Sequence, residues 1–131
     1  MKSCKIEIVT FTRGERMRFA ADGVLEEREA GFTAHYPQES DRARLTLDGG
    51  SLLMERSGES ELSALFREGE HGHFHFGIGE NAGAVPMHTE VCSATRSRDG
   101  WRIGLKYRLK FGEENEIFRL KIAVNIISEE Q

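Results

Sequence analysis

Along most of the chain apolar and polar residues alternate with a period of two, and the alternation is clearest in WRIGLKYRLKF. Trp101, Ile103, Leu105, Tyr107, Leu109 and Phe111 fall on one face of a strand there, and Arg102, Lys106, Arg108 and Lys110 fall on the other. On a helix the same residues would scatter around the axis. The following EIFRLKIAVNI repeats the pattern with Phe118, Leu120, Ile122, Val124 and Ile126, and the polar GEEN between the two segments predicts a hairpin. Upstream, ARLTL and SLLMER flank Asp48-Gly49-Gly50, where glycine supplies the positive φ of a tight turn, and Arg98-Asp99-Gly100 prepares another turn before Trp101. Further strands are predicted at CKIEIVTFTR, RMRFAAD, GFTAHY, HFHF and AVPMHTEV. SELSALFREG admits two readings. Leu62, Leu65 and Phe66 have helical spacing with Gly69 as a C-cap, whereas Leu62, Ala64 and Phe66 alternate. We read residues 60–68 as strand.

Turn signals recur roughly every eight to twelve residues, and nothing reads as a crossover helix. Antiparallel strands with one apolar face each must bury that face and protect their edges, and closure into a barrel does both. The expectation is an all-β protein: a single antiparallel β-barrel of about eight to ten strands, formed by residues 1–131 as one domain.

Four short pieces, LLMERSG at 52–58, LFREG at 65–69, VPMHT at 85–89 and IGLKYRL at 103–109, give the chain a family likeness through their order and spacing. From Lys2 to about Ile127 the chain resembles the YwiB-like family, small bacterial proteins with a domain of unknown function on a calycin-like (lipocalin-like) barrel. The resemblance implies the fold already reached from alternation and implies no catalytic residues. It breaks down between Phe74 and Ala84, where HFGIGENAGA replaces a compact aromatic-Thr-Pro-aromatic-Gly turn.

Composition narrows the partners. A net charge of -4 speaks against a general nucleic-acid binder, which presents a basic excess to phosphate. Lys5, Glu7 and Thr10 interrupt the apolar residues of the N-terminus, so no signal-peptide core forms, and no apolar run is long enough for a membrane helix. A cytoplasmic location is expected. Cys4 and Cys92 lack C-x-x-C partners and read as reduced thiols.

GEHGHFHFGIGE carries the most conspicuous chemistry. On a strand, His71, His73 and His75 project to one side, and Phe74 and Phe76 to the other. With the phenylalanines inside, a register that sets Phe74 against Met87 also sets His73 against His88 and His71 against Glu90. That register gathers an outer patch of His71, His73, His75, His88 and Glu90 able to pick up zinc, nickel or copper. His73, His75 and Glu80, with His88 as a fourth ligand, also match the first metal motif of cupins, a reading that turns the histidines into the barrel. It lacks the upstream glycine and the later Pro-x-Gly with histidine, and it pushes Phe74 and Phe76 into water. The favoured reading is a solvated face with no required cofactor, at most holding adventitious metal.

Arg56 shares parity with Leu52 and Met54, which aims a guanidinium toward the lumen or barrel end. There it either clamps a ligand's carboxylate or phosphate, closes the barrel floor on backbone carbonyls, or is turned outward by a bulge at Ser57-Gly58. Thr89 and Tyr107 bring hydroxyls to the same face as Met54, Phe66, Phe74, Met87 and Trp101. The lining suits a small apolar or amphipathic ligand, unless side chains fill the barrel completely. The leading expectation is a non-enzymatic barrel binding such a ligand, or a protein partner that includes a second copy of itself. The alternatives are the cupin-like metal enzyme and a filled interaction module.

Overall fold

The computed structural model describes residues 1–129 of the 131. Ten strands follow one another: β1 (Lys2–Thr12), β2 (Glu15–Arg28), β3 (Gly31–Gln38), β4 (Asp41–Asp48), β5 (Ser51–Ser57), β6 (Ser60–Arg67), β7 (His71–Ile78), β8 (Asn81–Ser97), β9 (Gly100–Phe111) and β10 (Glu114–Glu129). Each pairs antiparallel with its sequence neighbours, and β10 returns to β1 to close the barrel. Residues 60–67 are strand, as read from Leu62, Ala64 and Phe66. Every connection except β6–β7 is a two-residue turn, and six of these eight turns hold a residue of positive φ, which follows the strand twist. Arg13 and Gly14 both supply it in the β1–β2 turn, at φ 51° and 73°. Among the described residues no helix is long and apolar enough to cross a membrane.

The meander gives the barrel two unlike ends. The lower end holds the N-terminus and the turns β2–β3, β4–β5, β6–β7 and β8–β9; the upper end holds the other turns. Alternation sends Trp101, Ile103, Leu105, Tyr107 and Leu109 inward, and all are buried. Complete burial of Phe32, Phe66, Leu45, Leu47 and Leu52 contributes about 1.5–3 kcal/mol per side chain.

A carboxylate seals the lower end. Glu27 accepts hydrogen bonds from Arg96 Nε at 2.6 Å, Lys2 Nζ at 2.8 Å and Trp101 Nε1 at 2.8 Å. Burial disfavours its charged form, but the bonds from Arg96, Lys2 and Trp101 outweigh it and lower the pKa from 4.5 to about 2. Because the folded carboxyl is the more acidic one, its stabilisation is complete above about pH 4.5 and is lost as the pH falls toward 2. Glu27→Gln is expected to cost about 2 kcal/mol at pH 7. Thermal melts of both proteins across this acid range check the claim: the gap between them closes as the pH falls.

Two details differ from the expected register. Ile78 pairs with Asn81 across Gly79-Glu80, which sets His71 against His88, His73 against Pro86 and Phe74 against Val85. The expected pairs of Phe74 with Met87, His73 with His88 and His71 with Glu90 are therefore off by two residues, because the turn is centred one residue earlier, on Gly79-Glu80, than that register requires. Glu90 is also the extra residue of a bulge, since Thr89 opposes Tyr107 while Val91 opposes Lys106.

Candidate functional site

On β1, β2, β5, β6, β7 and β10 inward-facing residues become more exposed toward the upper end, whereas on β4, and on β3 and β9 as far as Tyr36 and Leu109, they stay buried. On β1, Ile6 is sealed and Ile8 half-buried; on β2, Leu25 is sealed, Ala21 and Phe19 are half-buried and Met17 is exposed. The same change runs from Leu52 to Met54 on β5, from Ala64 to Leu62 on β6, and from Leu120 to Phe118 on β10. The lower half is thus a packed plug. Above it the upper inward side chains of these strands are partly exposed and form an apolar mouth, while Tyr36, Ala43 and Leu109 stay buried at its side. Tyr107 lies between plug and mouth, its ring 4.8 Å from Phe66 below, 5.2 Å from Phe118 and 6.4 Å from Phe74 by centroid. Burial, and next the nearby charge of Glu116, push the Tyr107 hydroxyl well above the ordinary tyrosine range, so it stays protonated.

The eight lumen residues singled out from sequence divide accordingly. Phe66, Met87, Thr89 and Trp101 belong to the packed interior, each no more than 7% exposed. Met54 and Phe74 are half-buried at the mouth, Tyr107 lies at its floor, and Arg56 stands at its rim. Phe76, expected inside with Phe74, is 44% exposed. It lies opposite Gly83, whose missing Cβ makes room for the ring: an added Cβ would sit 2.9 Å from Phe76 Cζ. Thr89 Oγ1 is buried without a hydrogen-bond partner.

Arg56 keeps its inward parity and is neither bulged outward nor spent on carbonyls. Its Nε donates to Asp41 Oδ2 at 2.7 Å, and Nη2 lies 3.6 Å from the exposed Glu39 carboxylate. Asp41 is buried and also accepts from the backbone N–H groups of Glu59 (2.6 Å) and Ser60 (3.2 Å), which ties the β5–β6 turn to the start of β4. The bond from Arg56 leads in holding the Asp41 carboxyl below its usual range. Gly58, at φ 135°, leaves the space: a Cβ there would meet Asp41 Oδ1 at 2.2 Å. Sequence reading does not single out Asp41, although it shares parity with Ala43, Leu45 and Leu47.

At this rim Arg56, Leu62, Phe76 and Gly83 join His75 and Arg42 in lining an open cleft of about 600 Å³. Cations and apolar surface meet there with two carboxylates, Glu55, which is bound to Arg44 at 2.6 Å, and Glu61.

The histidines face outward and are not gathered as a metal centre. His71 and His88 stack on each other with ring centroids 4.2 Å apart, while His73 and His75 are tilted and 6.2 Å apart. Glu90, expected opposite His71, instead binds Arg108 Nη2 and, at 3.1 Å, Lys106 Nζ. Glu80 sits in the β7–β8 turn, so the cupin-like set of His73, His75, Glu80 and His88 is not brought together. Among the described residues no three of histidine, cysteine, aspartate and glutamate form a group able to hold a metal ion. Cys4 and Cys92 are free and buried, and burial pushes both thiols up.

A comparison with curated proteins finds no match. Among solved structures the chain is similar to the ywiB protein from Bacillus subtilis, with a TM-score of 0.79 over 96% of this chain and 91% of that one. The identity is 15%, so the likeness speaks for the fold alone. The family model described as a domain of unknown function, DUF1934, matches residues 3–122. The chain belongs to the DUF1934 family and has the closed barrel of a YwiB-like protein.

Proposed function

We propose that the protein is a non-enzymatic binder of a small amphipathic anion, with the apolar part in the upper mouth and the charged head at the rim. The observation that carries this is the contrast between a lower half whose apolar inward side chains are sealed except for Ala94 and Ile126 and the half-buried Ile8, Phe19, Met54, Phe74, Val85 and Phe118 above it. Barrel width supports it: about eight strands leave an interior that side chains just fill, and this barrel has ten. Arg56 suits the head, because Asp41 takes Nε, the Glu39 carboxylate at 3.6 Å from Nη2 is itself exposed and displaceable, and the Arg56 side chain retains 20% exposure. Two buried, unpaired thiols suit a reducing compartment such as the cytoplasm.

Decanoate is a suitable probe, with an apolar tail and a carboxylate. Calorimetry with protein purified without an affinity tag is expected to give saturable binding, with a dissociation constant on the order of 10–100 μM. Absence of saturable binding by decanoate and by its amine counterpart would favour the filled barrel and end this reading. Binding of the amine alone would exclude Arg56 as the head's partner.

A further inference from the structure

The outer wall carries a second feature, independent of the mouth. Strand pairing puts His71 opposite His88 and His88 opposite Arg108; farther up the same wall, Lys110 lies opposite Asn115. With His73, these outward residues border a cleft of about 410 Å³ across β7, β8, β9 and β10. The two imidazoles of His71 and His88 stack within 14° of parallel. No carboxylate lines the cleft. Of the nearby acids, Glu90 is already held by Arg108 and Lys106, and Glu70, which borders the adjoining cleft with His71 and His73, lies 3.9 Å from Arg67. Arg108 gives Nη2 to Glu90, but its Nε is buried and has no partner.

Basic and imidazole groups crowded on one wall repel each other once charged, and an unpartnered buried N–H adds a desolvation cost. An anion in the cleft offsets the repulsion, and one within reach of Arg108 Nε also supplies the missing acceptor. A carboxylate offers two oxygens, whereas a phosphate offers three and close to two negative charges. Arg108, Lys110, the ring N–H groups of His71, His73 and His88, and the Asn115 amide supply more donors than a carboxylate can accept. We propose that this cleft binds a phosphate dianion, either free or as the monoester of a small organic compound. Pro86, exposed at the edge of the cleft, offers the organic part an apolar surface.

The test is a two-dimensional NMR titration of isotope-labelled, untagged protein at constant ionic strength, using phenyl phosphate, inorganic phosphate, acetate and zinc chloride in separate series. Phenyl phosphate or inorganic phosphate is expected to give saturable shifts at His71, His88 and Arg108, with a dissociation constant of about 1 mM or tighter. The tighter of the two identifies the source, monoester or free ion. Arg108→Met should weaken that binding at least about tenfold. Arg102→Met, on the same face of β9 and outside the cleft, should leave it unchanged, with both variants melting like the parent. Equal shifts with acetate would overturn the proposal in favour of diffuse positive charge. Shifts with zinc and none with either phosphate would overturn it in favour of a histidine metal site, and so would the absence of any saturable response.

Discussion

Gly100→Ala is expected to lower stability by more than about 4 kcal/mol, among the largest effects a single methyl group can have. Gly100 opens β9 at φ 150°, a region that side-chain-bearing residues rarely occupy, and its missing Cβ faces the β10 backbone. An added Cβ would lie 1.9 Å from Val124 O and 2.9 Å from Val124 C. That oxygen belongs to the fully buried Val124, and the neighbouring pair of Gly100 with Asn125 holds the β9–β10 ladder in place, so neither side can yield cheaply. Gly112→Ala is the control. Gly112 has φ 64° with nothing within 4 Å of an added Cβ, so only the backbone preference is lost, about 1 kcal/mol. Urea melts of the two variants should separate these costs, and similar midpoints would show that the close approach at Gly100 is not tight.

Val85→Trp is expected to weaken decanoate binding by at least about a hundredfold, or 2.7 kcal/mol, while changing the melting temperature little. Val85 is inward-facing, half-buried and opposite Phe74, one alternate position above the sealed Met87. An indole placed there occupies the mouth itself, whereas the same substitution in a filled barrel would overpack the core, at about 1–3 kcal/mol. Val85→Ala widens the mouth and should keep binding within a few fold. Calorimetry combined with melting curves distinguishes the cases. A tryptophan variant that binds as well as the parent, or one that loses stability along with binding, would count against an open mouth.

Alternation made the barrel legible because each strand has one wet and one dry side, and Trp101 to Leu109 follow that rule without exception. Alternation fixes which face a residue occupies, but the turn fixes which residue it meets. The tight Gly79-Glu80 turn shifted the β7–β8 pairing by two residues while leaving the histidines outside, so their direction was readable and their partners were not. The bulge at Glu90 leaves no period-two signature, and it takes Glu90 away from His71 and gives it to Arg108 and Lys106. Arg56 was visible as a charge on a dry face, but its partner Asp41 lies one hairpin away and looks like an ordinary turn residue. The division of the lumen into plug and mouth depends on how inward columns from ten strands meet, which no single segment encodes. Phe66 and Phe74 therefore looked equivalent in sequence and occupy different environments.

The account rests on the barrel being sealed below and open above. The most direct measurement is methyl NMR of the protein titrated with decanoate, reading Ile8, Met54, Leu62 and Val85 in the mouth against Leu25, Leu47, Leu52 and Val124 in the plug. Binding in the upper mouth should give saturable shifts and contacts from the ligand tail at the first group and unchanged signals at the second. Unmoved methyls throughout, or contacts that reach Leu47 and Val124 as readily as Val85, would contradict it.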